Sequence, residues 1–284
     1  MTTLATVSPT TAPAPVAEPP ARFRDLLASE WIKMRSLRST PWTLALTTLF
    51  VIGSAAVAAL AENRNLEKLS PDARTAQGFL VFDAFPPAGY MTLMLVVGCI
   101  GALTVVSEYN SGLIRTTTVA VPARGAVVLA KAVVPTALWT AVGTVISTGS
   151  FLVSQAILNG QHTGVRLTHP GVLRALVASA LLAPVCALMG LGFGVLIRHS
   201  ATTMVTSVFT LLMLPTLFSQ SERWSATVNH AMPVTAWKRL VQNWSPDPDS
   251  LAYAATVPGS WFVYALWPLI AVALAVVVVR RRDV

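Results

Sequence analysis

Side chains able to ionise, attack a carbonyl or hold a metal are sparse in this sequence, and their spacing rules out most chemistry. The four histidines, His162, His169, His199 and His230, are scattered, and no His-Glu-x-x-His pair exists to hold zinc. No Gly-x-Ser-x-Gly elbow presents a serine nucleophile, and no Gly-x-x-x-x-Gly-Lys-Ser/Thr loop cradles a nucleotide phosphate. The run GLGFG at Gly190 to Gly194 is embedded in apolar sequence and lacks the Lys and hydroxyl of a phosphate loop. Its Gly-x-x-x-Gly spacing suits close helix approach instead. Cys99 and Cys186 both lie in apolar runs, where a thiol behaves as a small hydrophobe, and they make no disulfide framework. The expectation is a chain with no catalytic residue, metal site or cofactor of its own.

The elements around these residues are set by composition. The chain is 54% hydrophobic and 11% charged, against roughly 25% charged in an ordinary soluble domain. Charge-free runs predict six membrane-spanning helices at 42–61, 88–106, 132–158, 175–197, 201–219 and 260–279. The fold class expected is therefore all-α, a polytopic membrane protein with one six-span unit over 41–284. None of those six stretches contains Asp, Glu, Lys, Arg or His, which argues against a proton relay or an ion-selective carboxylate ring. Residues 198–200 between the fourth and fifth spans predict a tight hairpin.

Orientation follows from basic residues near the span ends. With the N-terminus inside, inner segments hold twelve Lys and Arg and five acids, whereas outer loops hold eight and seven. Both termini are expected in the cytoplasm and the protein in the cell membrane, with no removable signal peptide. The net charge of +8 belongs to this flanking pattern and to anionic lipid contacts, so no nucleic-acid partner is expected.

Residues 1–20 are rich in Thr, Ala and Pro and are expected to form a disordered cytoplasmic tail. Over 21–40, Phe23, Leu26, Leu27, Trp31, Met34 and Leu37 converge on one helical face with Arg22, Arg24, Lys33 and Arg35 at its margins. That pattern predicts an amphipathic interfacial helix, or else a solvated helix leading into the membrane. Glu30 falls in the middle of the apolar face, where a carboxylate needs a partner. It either pairs with an Arg of the first inner loop or reaches water at the helix edge.

That loop, 107–131, carries the most information. Glu108 stands where the second span ends, Gly112 can break the helix, and Leu113 to Val121 is short and amphipathic. Pro122, Arg124 and Gly125 predict a turn before Lys131 re-enters the membrane. The succession of Glu108-Tyr109, Gly112, Ile114-Arg115-Thr116-Thr117, Pro122-x-Arg124 and Lys131 resembles the cytoplasmic loop of ABC-2 type transporter permeases. The stretch SEWIKMRSLRSTPWT, Ser29 to Thr43, is similar to that family's approach to its first span, and the six-span arrangement agrees.

The resemblance covers nearly the whole chain after the tail. It implies a permease that pairs with a second permease subunit, as homodimer or heterodimer, on two copies of a separately encoded ABC ATPase that carries the ATP and magnesium. It also implies that Glu108, Gly112, Arg115, Thr116, Pro122 and Arg124 form the coupling loop that docks on the ATPase. Glu30, Trp31, Lys33 and Arg35 would then belong to a helix lying along the inner membrane face. Spans lined by apolar and hydroxyl side chains suit export of a hydrophobic or amphipathic substrate. A non-transporting scaffold or sensor subunit needs the same spans, and an ATP-independent carrier is a third reading, which the absence of membrane-buried charge disfavours.

The longest outer loop runs over 220–259, where Val234, Trp237, Leu240 and Val241 predict one apolar helical face. A surface helix against the outer leaflet is expected, with Trp224, Trp244 and Trp261 contributing to an aromatic belt.

Overall fold

Long apolar segments leave backbone amides no better partner than their own helix, and the chain folds accordingly. The computed structural model describes residues 22–70, 81–121, 123–159, 164–244 and 253–281. The tail expected to be disordered lies outside them. Ten helices follow in order among the described residues: α1 (Phe23–Ser36), α2 (Ser39–Glu67), α3 (Pro87–Ser111), α4 (Leu113–Ala120), α5 (Arg124–Leu158), α6 (Val172–Ile197), α7 (Ser200–Leu217), α8 (Arg223–His230), α9 (Pro233–Val241) and α10 (Val257–Arg281). A short 3-10 turn, Val81–Asp83, precedes α3. No strand occurs among these residues. Six helices, α2, α3, α5, α6, α7 and α10, are long and apolar enough to cross a membrane, which makes the chain a multi-pass, all-α membrane protein.

Helix α6 is the axis of the bundle. Of its most apolar stretch 72% is buried, against 22% for α2 and α7, and α3, α5 and α10 all pack on it. Small residues make this possible. Gly190 of α6 lies directly against the Gly98 carbonyl of α3, Gly101 of α3 against the Ala187 carbonyl, and Gly143 of α5 against the Ala180 carbonyl. A Cβ added at Gly194 would stand 2.9 Å from the Ala102 carbonyl oxygen, so the close approach expected of the Gly190–Gly194 run is present.

Five of the six spanning helices are longer than the charge-free runs, while α7 stops at Leu217 rather than 219. Helix α5 begins at Arg124 rather than 132, and α2 continues to Glu67 rather than stopping at 61. Arg124 and Gly125, expected in a turn, are thus the first residues of α5. Lys, Arg and Glu are good helix formers, so a charge ends a hydrophobic run without ending the helix. As a result Glu108, Lys131 and Arg174 lie inside helices, although the centres of the six spanning helices hold no Asp, Glu, Lys, Arg or His. Between α6 and α7 the hairpin is as tight as expected: Arg198 takes a left-handed φ of 60°, and the His199 ring accepts from the Thr202 amide at 3.5 Å. Helix α7 is irregular, passing from α-helix into a π turn at Phe209–Met213 and a 3-10 turn at Leu214–Leu217.

At the far end from α1, the expected surface helix is in fact buried. Val234, Trp237, Leu240 and Val241 of α9 are all in the core, with the Trp237 ring stacked on Tyr90 at 5.2 Å. Trp237 Nε1 donates to Ser179 Oγ at 3.1 Å. Arg174 of α6 supplies what the C-terminal carbonyls of α9 lack, donating to Leu240 at 3.0 Å and Gln242 at 2.6 Å. Apolar periodicity shows that a helix has one buried face but not which neighbour buries it. Trp224 and Trp244 are exposed at this end, while Trp261 is half-buried and packs edge-on against Tyr264.

Asp83 sits in the turn before α3, and burial, reinforced by the charge of Glu62, pushes its carboxyl up to about 7. A raised acid pKa means the folded state binds more protons than the unfolded one between about pH 4 and pH 7. Stability therefore falls as pH rises through that window. Asp83→Asn should flatten this dependence, as read from thermal unfolding in micelles between pH 4 and pH 8.

Candidate functional site

The junction of α1, α3 and α5 gathers the charges that the sequence distributes over three separate segments. Helix α1 packs chiefly on α5, and Glu30 is its one buried residue. Glu108 lies one turn before the end of α3, and Lys131 two turns into α5. Lys131 Nζ donates to both Glu30 oxygens at 3.0 Å and to Glu108 Oε1 at 2.5 Å. Lys33 Nζ donates to Glu30 Oε1 at 2.7 Å and to Glu108 Oε1 at 2.8 Å. Each carboxylate thus touches both ammonium groups, and the four formal charges cancel.

Burial grades the cluster. The Lys131 side chain is 3% exposed and that of Glu108 7%, whereas Lys33 is 33% exposed and closes the cluster on its water-facing side. Burial acts to lower the Lys33 pKa, but hydrogen bonds to Glu108 and Glu30 and their charges outweigh it, so the ammonium is held above its ordinary 10.5. Its contribution to stability is therefore complete below pH 10.5 and is lost only as pH climbs through the raised value.

The chain leaves the cluster through a built turn. Gly112 takes φ +73°, a left-handed conformation that stops α3 and starts α4 in a new direction. Thr116 and Thr117 both return their hydroxyls to the Leu113 carbonyl, at 2.8 and 2.9 Å. Ile114 tucks inward, while Leu113 and Val119 are exposed, Val119 to 84%. A groove of about 400 Å³ runs between α1, α4 and α5, with Glu30, Lys33 and Thr116 on its walls.

Of the residues singled out from the sequence, Glu30, Lys33 and Glu108 meet at the cluster, and Gly112 and Thr116 shape the adjoining turn. Trp31 and Arg35 are exposed on other faces of α1. Arg124 opens α5, where the Arg280 side chain lies over the neighbouring Gly125. Pro122 and the side chain of Arg115 lie outside the described residues. Glu30 was expected to find a coupling-loop arginine or water; among the described side chains its partners are two lysines. Lys131, paired with both carboxylates, is the cluster member that the sequence shows only as the lysine re-entering the membrane and closing the family-like succession, not as a partner of Glu30. A signal was available: it interrupts the otherwise apolar GAVVLAKA, residues 125–132, at a position that helical spacing places with Val127, Val128 and Val134.

Charge pairs of this kind are directional. Sliding α1 along α5 by an ångström or two breaks bonds that an apolar seam would tolerate losing, so the cluster ties the middle of α1 to the end of α3 and the first turns of α5. Among the described residues, no group of three or more His, Cys, Asp or Glu is placed to hold a metal. No protein-family model matches the chain, and no curated protein matches it.

Proposed function

We propose that this chain is the membrane permease subunit of an ATP-driven exporter of the ABC-2 type, moving a hydrophobic or amphipathic substrate while a separate ATPase subunit hydrolyses ATP. The observation that carries the reading is the ion cluster fastening α1 to the ends of α3 and α5, which flank an outward-facing short helix. In this reading α4 is the docking element, and Leu113 and Val119 are the apolar contacts it offers a partner. Force on α4 enters α3 through the Gly112 turn and α5 through Arg124, and α1 follows because Glu30 and Lys33 are bonded to Glu108 and Lys131. The α1 end faces the cytoplasm of a cell-membrane protein, α1 lies along the lipid surface, and two permease subunits complete the pathway.

Co-expression with an ATPase encoded beside this chain tests the proposal. A stable complex is expected, in which Val119→Asp abolishes co-purification without changing thermal stability, since its side chain is almost wholly exposed. Glu108→Gln should retain the complex but lower permease-dependent ATP hydrolysis about tenfold, roughly 1.4 kcal/mol of coupling. If no ATPase binds, or if both variants behave as wild type, the chain is a scaffold or an independent carrier.

A further inference from the structure

A second polar site lies at the opposite end of the bundle. Tyr90, beside α9, and Glu108, in the ion cluster, are eighteen residues apart on α3, which is about 27 Å at 1.5 Å per residue. There a pocket of about 440 Å³ opens between the start of α3, the end of α7 and helices α8 and α9. Its floor is fixed by Asn229, which donates to the carbonyls of Pro215 and Phe218, both at 2.8 Å, and accepts from Gln220 at 3.1 Å and Thr235 at 3.0 Å. With that amide fully engaged, the floor is preorganised. One wall is aromatic: Phe82 and Trp244 contact each other with ring centroids 5.4 Å apart, and Trp244 is exposed on the open side.

Among the described residues, the charge lining this pocket is of one sign. Lys238 and Arg239 both line it, and Arg174 lies close enough for its charge to act on that of Arg239. Arg174 directs Nε and Nη2 to the Leu240 and Gln242 carbonyls at the end of α9, and Arg239 Nε donates to the Ala255 carbonyl at 2.7 Å. Lys238 makes no hydrogen bond or ion pair with any described residue, and no carboxylate among the described residues lines the pocket. A cavity with an aromatic wall, two cations at its rim and no carboxylate among its described lining residues matches one ligand chemistry.

We propose that this pocket binds an anionic amphiphile, its apolar body against Phe82 and Trp244 and its acidic head on Lys238 and the free edge of Arg239. The site does not depend on the chain belonging to an ATP-driven exporter. Such a ligand has two sources, a membrane lipid with an acidic headgroup or a soluble amphiphilic anion, and both present the same chemistry to Lys238.

Calorimetric titration of the full chain in phosphatidylcholine nanodiscs, with 1-naphthyl phosphate as probe, tests the site. Saturable binding is expected, weakened about tenfold by Lys238→Gln and by Trp244→Ala, with no binding of 1-naphthylmethylammonium. Lys238 is exposed, so Lys238→Gln should unfold at the wild-type temperature; Trp244→Ala also gives up the Phe82 contact, and its binding is read well below its own unfolding temperature. The proposal is overturned if binding does not saturate, if either variant binds as wild type, or if the cationic analogue binds equally. Repeating the titration with phosphatidylglycerol in the disc separates the two sources. Loss of the Lys238-dependent part of the binding assigns the site to lipid headgroups, and its persistence assigns it to a soluble anion.

Discussion

Replacing Lys131 by Met should lower the stability of the purified protein by about 3–5 kcal/mol, the cost of leaving buried carboxylates without their counter-ion. Lys131 is the right residue for this test because it is the most buried member of the cluster and touches both carboxylates. Met keeps its length and its packing against α5's neighbours while removing only the charge. Lys33→Met should cost far less, about 1 kcal/mol or under, because Lys33 is a third exposed and water can replace it. The double variant Lys131→Met/Glu108→Gln should recover part of the loss: it leaves Glu30 and Lys33, a balanced pair one helical turn apart. Thermal or urea unfolding in micelles, followed by circular dichroism, measures all three. A Lys131→Met protein within about 1 kcal/mol of wild type would mean that the cluster is solvated and joins nothing.

How far the sequence reveals this arrangement depends on which physical signal each part leaves. The six spans are legible because exclusion of charge over about 20 residues has few other causes. Gly112 is legible because a glycine between two helical patterns marks a left-handed turn, and the structure puts it there. The ends of α5 are not, because a lysine beside an apolar run reads equally well as the last residue outside a membrane or as a buried partner within a helix. Only the arrival of Glu30 and Glu108 from two other segments decides between these, and that is tertiary information. Helix α9 fails for a related reason. Its apolar face at Val234, Trp237, Leu240 and Val241 was visible, but the groove that receives it is made by Tyr90 and Ser179, far away in sequence. Asn229 left no signal at all, since one polar residue in a polar loop says nothing of four hydrogen bonds.

Gly190→Val should be the most damaging substitution in the apolar part of the bundle, costing at least about 3 kcal/mol, the upper part of the range for overpacking. At this position the obstacle is backbone. Even a Cβ would collide with the Gly98 carbonyl and stand 3.0 Å from the Ala102 amide nitrogen, and neither group can swing aside as a side chain would. The only relief is to separate α3 from α6, which strips contacts along the whole seam because Gly101 and Gly194 rely on the same spacing. Gly53 supplies the control, with no atom within 4 Å of its added Cβ and a position inside α2. Gly53→Ala should stabilise by about 0.5–1 kcal/mol through helix propensity alone. Unfolding in micelles distinguishes the two, and Gly190→Ala refines the result by adding the single offending carbon. If the seam is as closely fitted as these contacts require, α3 and α6 move as one body. Under the proposed coupling, displacement delivered at the Glu108 end is then taken up where little of the helix is buried and its winding is already irregular, along α7 between Phe209 and Leu217. A Gly190→Ala protein that unfolds at the wild-type temperature would place the yielding seam between α3 and α6 instead.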